Sequence, residues 1–149
     1  MTRLVKFAAP VALAAAAFVA VAPVAARADD QDVIKYREHI MKTLDAQTAA
    51  LGQILSGATP DDQFVSHLEA IAMAAATSLK SFEPKVEGGE ALPAVWENWS
   101  DFEAKMKDFA EQTAEAAKVA KEQGKDAAMG NLIGALSCKS CHDLYRKKD

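Results

Sequence analysis

From Asp29 onward, apolar side chains recur at spacings of three and four, and no run alternates with polar residues at a spacing of two. The first spacing marks a helix with one buried face and the second a strand, so the pattern predicts an all-α protein. In DDQDVIKYREHIMKTLDAQTAALGQILSG, the positions Val33, Ile34, Arg37, Ile40, Met41, Leu44, Thr48, Leu51, Ile54 and Leu55 share one face. Asp29 and Asp30 are placed to cap the start of this helix and Gly57 to end it.

A second helix is expected behind Thr59-Pro60, a capping threonine followed by a proline at the first helical position. Its stripe runs Phe64, Leu68, Ile71, Ala72, Ala75, Leu79 and Phe82, and it stops near Pro84. EPKVEGGEALPAVWEN, with two prolines and a glycine pair, reads as the longest loop. Ser100-Asp101-Phe102-Glu103 then matches a capping box, opening a third helix with Phe102, Met106, Phe109, Thr113, Ala117 and Ala120 inward. Gly124 ends it. A fourth helix is expected from about Lys125 past His142, with Ala128, Leu132, Ala135, Cys138, Cys141, His142 and Tyr145 inward. Gly130 and Gly134 each weaken it by roughly 1 kcal/mol relative to alanine, which suits either a bulky group approaching the backbone or a closely packed neighbouring helix. Four amphipathic helices joined by short connections predict a single-domain, antiparallel four-helix bundle.

Ahead of the helices, residues 1–28 carry Arg3 and Lys6, an alanine-rich apolar run and the small-x-small triplet Ala26-Arg27-Ala28. This is the layout of a cleaved secretory signal, and Pro10 and Pro23 disfavour the alternative of a membrane anchor. The expected mature chain is residues 29–149, in the periplasm and off the membrane. It carries 14 basic against 21 acidic residues, a formal charge of −7. That charge, with no basic stripe, argues against a nucleic-acid partner. The terminal Arg146, Lys147 and Lys148 either complement the negative end of the last helix or form a docking patch for an acidic partner.

Both cysteines of the chain fall in SCKSCHDLYRKKD, three apart, with His142 directly after the second. A dithiol redox pair is expected at a helix N-terminus, where the dipole lowers the thiol pKa, whereas this pair is expected near a C-terminus. Zinc needs four ligands, and beyond this trio only His39, His67 or a carboxylate is on offer, at no recognisable spacing. Cys-x-x-Cys-His is the signature of covalent haem c attachment, with Cys138 and Cys141 as thioethers and His142 as axial iron ligand. One helical turn sets both sulfurs on one side, within reach of two vinyl groups of one macrocycle. Tyr145, on the next turn, is expected to pack. Arg146 is expected on the proximal side, tuning the iron or bonding near its histidine, unless it is a plain surface charge.

Lys35-Tyr36-Arg37 and Met41 on the first helix, Pro93-x-x-Trp96 before the third, and Cys138 through Arg146 at the end together resemble the class II c-type cytochromes, the cytochrome c-prime family. The resemblance spans the mature chain and its most specific element is the C-terminal position of the haem motif. It implies one haem c per chain, a distal position at Met41 and a haem propionate near Arg37. The helical stripe is compatible, since Met41 and Arg37 share it while His39 points about 200° away. His67 sits at the margin of the second stripe. The expected branch is the low-spin one, in which methionine is the sixth ligand and the protein carries single electrons between periplasmic redox proteins, not an enzyme. The alternative is a five-coordinate member that binds nitric oxide or carbon monoxide at an open distal site. Both a monomer and a homodimer fit the stripes.

Overall fold

The computed structural model describes residues 29–148, so the signal sequence expected over residues 1–28 lies outside the described residues. Helix α1 spans Asp30–Leu55, α2 Phe64–Ser78, α3 Ala94–Glu97, α4 Trp99–Gln123, α5 Lys125–Ala135 and α6 Cys138–Tyr145. A 3₁₀ turn, Leu79–Ser81, extends α2. The long helices pack in chain order, α1 on α2, α2 on α4 and α4 on α5. This is the expected four-helix bundle, with the fourth helix made of α5 and α6. Among the described residues no helix is long and apolar enough to cross a membrane.

The ends of α1 follow the sequence signals. The Asp29 side chain accepts a hydrogen bond from Asp32 N at 2.8 Å. At the other end Gly57 adopts φ 76°, and Gly57 N and Ala58 N bond to the carbonyls of Ile54 and Gln53. That pair of bonds is a Schellman closure, which needs a residue free to enter the left-handed region.

Three expected starts or continuities are corrected. Helix α2 begins at Phe64, not behind Thr59-Pro60, because residues 59–63 are exposed and Phe64 is the first side chain with a core to enter. The capping box at Ser100 does not form. Helix α4 already starts at Trp99, entered from Asn98 directly after α3, a short helix inside the segment expected as loop. The last helix is broken at Leu136 and Ser137. At the break the chain leaves helical geometry, with Leu136 at ψ 26° and Ser137 at ψ 50°, and both Ala135 before it and Tyr145 after it are buried.

The core divides into two clusters. Leu51, Ile54, Phe64, Leu68, Ile71, Ala117, Ala120, Ala128 and Leu132 form the larger one. Phe82, Val95, Phe102, Met106 and Tyr145 form the second, against which Met41, Trp96, Trp99 and Cys141 pack. As expected, Met106 is buried; Met129 fills the edge of the larger cluster. Leu55, expected inward, is exposed.

Candidate functional site

Helix α6 presents the cysteine motif at the second cluster. Cys138 is its first residue and exposed, Cys141 is half-buried, and both thiols are free. Cys138 and His142, expected inward, both stand outward. The pair therefore lies at the start of a helix, which corrects the ground on which a dithiol site was set aside. Burial pushes the thiol of Cys141, the second of the pair, up. For His142, partial desolvation of the exposed ring against the protein surface first and the charge of Arg146 second hold the imidazole below its ordinary value. The neutral form so favoured is the one that ligates metal. Zinc would require further donors, and among the described residues no three His, Cys, Asp or Glu side chains gather.

Arg37, on α1, is 4% exposed. It does not snorkel to water: its guanidinium lies 5.3 Å from the Phe82 ring centroid and 5.2 Å from that of Trp96. Nη2 donates to the Val86 carbonyl at 2.6 Å. Nε and Nη1 are buried with no hydrogen-bond partner, and desolvation by burial lowers the pKa of the group. Two unpaired donors on a buried cation are costly unless an acceptor, preferably an anion, meets them.

Met41 lies one turn after Arg37, partly buried against the cluster that Cys141 also touches. His39 is exposed, as its angle on the helix required. His67 belongs elsewhere: its Nδ1 is 2.7 Å from Gln47 Oε1, and it lines a 230 Å³ cleft with Gln53, Thr59 and Asp62 at the α1–α2 turn. A second cleft, of about 260 Å³ between Ile40, Thr43, Met73 and Thr77, is likewise apart from the cysteines.

The segment between Pro84 and Pro93 straps this end of the bundle together. Gly88 and Gly89 both have positive φ and pass so near Ile34 that an added Cβ would stand 2.7 and 2.9 Å from its side-chain carbons. Arg146 Nε donates to Glu90 Oε2 at 2.8 Å, and Lys147 donates from N to Glu90 O and from Nζ to Gly89 O. Two members of the terminal basic cluster are thus engaged with the strap. Arg146 is held one turn beyond His142, with its backbone N on the His142 carbonyl.

Tyr145 packs as expected, edge-on to Phe102 with centroids 5.2 Å apart. Its partners were not anticipated. The hydroxyl donates to Asp101 Oδ2 at 2.5 Å and accepts from Asn98 Nδ2 at 3.1 Å. Forty-four residues separate Tyr145 from Asp101, and no local pattern joins them. Phe82 was legible only as the end of an apolar stripe, not as one wall of the Arg37 sandwich.

Comparison with known proteins agrees with this geometry. The family profile described as Cytochrome C' matches residues 32–146. The chain is 31% identical to cytochrome c' of Alcaligenes xylosoxydans xylosoxydans over 126 residues, covering 81% of this chain and 98% of the relative. It is 35% identical to cytochrome c-554 of Cereibacter sphaeroides, covering 78% and 94%. It is 34% identical to cytochrome c-556 of Agrobacterium tumefaciens, covering 77% and 97%. Among solved structures, a nitric oxide complex of a variant cytochrome c prime from Alcaligenes xylosoxidans superposes with a TM-score of 0.70 at 28% identity, over 81% of this chain and 98% of that one. Cytochrome c prime from Shewanella frigidimarina gives 0.69 at 28% identity, over 80% and 98%. With this match across nearly the whole bundle, the chain belongs to the cytochrome c' family, class II c-type cytochromes that bind a covalently attached haem c.

Proposed function

We propose that this chain is a periplasmic carrier of single electrons whose haem iron is held by His142 and Met41. One observation carries the reading: Met41 from α1 and Cys141 from α6, distant in sequence, pack against the same apolar cluster. The residues present fit a haem. Cys138 and Cys141 stand one turn apart as free thiols for the two thioethers, and His142 follows them as a neutral imidazole for the iron. Arg37 Nε and Nη1, buried and unpartnered, are the donors for a propionate. Arg146, held by Glu90, supplies positive charge on the proximal side. Bound haem c supplies the exchange of one electron between the ferric and ferrous states.

The chain's own side chains set the conditions for that exchange. Methionine ligation raises the reduction potential and leaves no iron position for a substrate, so the proposed activity is electron carriage without catalysis. The expected acidic surface favours brief, charge-guided contact with redox proteins. Residues 1–28 act as the export signal that brings the chain to the periplasm.

A second reading has one observation in its favour. Several of the similar structures are nitric oxide complexes of Alcaligenes xylosoxidans cytochrome c prime. In that reading Met41 is a gap-filler and the distal position binds a diatomic gas. The visible spectrum of the matured protein, oxidised, reduced and then exposed to carbon monoxide, separates the two. A split low-spin pattern indifferent to the gas is expected, and Met41→Ala should turn it high-spin. A high-spin parent that shifts with carbon monoxide would establish the gas-binding reading instead.

A further inference from the structure

We propose that Tyr145 and Asp101 form a latch that fixes the angle at which α6 presents His142, so that both are positioning residues for the iron ligand. The inference deepens the cytochrome reading and rests on it. It starts from the break in the last helix. Leu136 (φ −86°, ψ 26°) and Ser137 (φ −75°, ψ 50°) are not helical, and the Ser137 side chain caps nothing. The first end of α6 is therefore joined to α5 by a two-residue hinge, not by a continuous ladder of helical hydrogen bonds.

The other end of α6 is fixed: Arg146 and Lys147 tie it to the strap, and the Tyr145 side chain ties it to α4. Its ring is 5% exposed and set edge-on to Phe102. Its hydroxyl bridges Asp101 and Asn98, and its carbonyl accepts from Leu92 N at 2.9 Å. A phenol donating to a carboxylate is a charge-assisted bond, shorter and stronger than one between neutral groups. Asp101 sits in the first turn of α4, a 25-residue helix that anchors the bundle. Tyr145 follows His142 by three residues and Cys141 by four, so the three share neighbouring positions on α6. At its far end this eight-residue helix is tied to the strap by Leu92 N, Glu90 and Gly89, and to α4 by the Tyr145 hydroxyl, so that hydroxyl sets its angle against α4. Whatever moves the hydroxyl moves the imidazole.

Charge complicates one arm of the test. Asp101→Asn removes a negative charge, so it can move a reduction potential by electrostatics alone, whereas Tyr145→Phe changes no charge and keeps the ring. The decisive experiment is a double-mutant cycle on the haem-loaded protein, with Tyr145→Phe, Asp101→Asn and both together. The readouts are reduction potential, the electron paramagnetic resonance g values and hydrogen exchange of the 138–145 amides, with haem content taken from the denatured protein. Tyr145→Phe should keep its haem, shift the potential and g values, and speed exchange over 138–145 about ten-fold. In the Asp101→Asn background the same change should add almost nothing, since partners in one bond do not act independently. Asp101→Glu, which keeps the charge but lengthens the arm, should shift the same readouts and serves if Tyr145→Phe accumulates poorly. Unchanged potential and g values, with or without faster exchange, would overturn the proposal, as would shifts that simply add. A parent protein without haem would instead defeat the cytochrome reading, and the exchange data alone would then report whether the latch exists.

Discussion

Arg37 places a permanent positive charge where only one of its nitrogens with a resolved partner is satisfied, by the Val86 carbonyl. Beside a haem iron that charge disfavours the ferric state relative to the ferrous one, so Arg37→Met should lower the reduction potential in a redox titration. In the haem-free chain the same substitution should not lower the unfolding temperature, because replacing an unpaired buried cation with a well-packed apolar side chain removes a desolvation cost. Tyr145 makes a second residue-scale prediction. Burial, then the hydrogen bond and charge of Asp101, push its phenol up to about 12, above the ordinary value near 10. A folded-state pKa raised in this way gives stability that is complete below about pH 10 and is lost as pH climbs through the folded value. Unfolding measured from about pH 9 to 12 should show a decline in the parent that is shallower in Tyr145→Phe, the difference between the two isolating this one group.

The helices explain why these residues meet. Helix α1 brings Arg37 and Met41 to the second cluster by one-turn spacing, and α6 brings Cys141 and Tyr145 there because the chain bends at Leu136 and Ser137. The strap between Pro84 and Pro93 closes this end, and its glycines are structural requirements. Gly89, at φ 60°, would hold a side chain in the left-handed region with its Cβ 2.9 Å from Ile34. Gly89→Ala should destabilise the protein by about 1–2 kcal/mol in urea unfolding, the cost of a left-handed backbone with a Cβ, and more if Ile34 cannot yield.

At the scale of the whole molecule the two clusters divide the work. The larger one, around Leu51, Phe64, Leu68 and Ile71, is made entirely of the chain's own apolar side chains. The smaller one borders Cys141 and, at Phe82 and Trp96, walls in the unpaired Arg37 donors, so it gains most when a partner binds. A Cys138→Ser, Cys141→Ser double variant should keep most of its helical circular dichroism but unfold at lower temperature than the haem-loaded parent. Its amides at 82–106 and 138–145 should exchange faster than those beside Leu68 and Ile71. Uniform loss of protection would mean that the bundle is a single cooperative unit.

Periodicity and capping residues determined the all-α class, the ends of α1 and most of the inward faces, with Leu55, Cys138 and His142 as the exceptions, because these depend on spacing along one helix and on caps within a turn. The Cys-x-x-Cys-His motif likewise named its chemistry without help, its residues being adjacent in the chain. Tertiary structure decided what depends on distant partners. Asn98, the last residue of the expected loop, enters α4 with its side chain donating to Tyr145, and the capping box at Ser100 goes unused. The fourth helix breaks at Leu136 and Ser137, where no proline or glycine in the sequence marks a stop. Arg37 on an apolar stripe could have reached water or been buried, and only the walls supplied by Phe82 and Trp96, from elements far along the chain, settled that it is buried with two nitrogens unpaired.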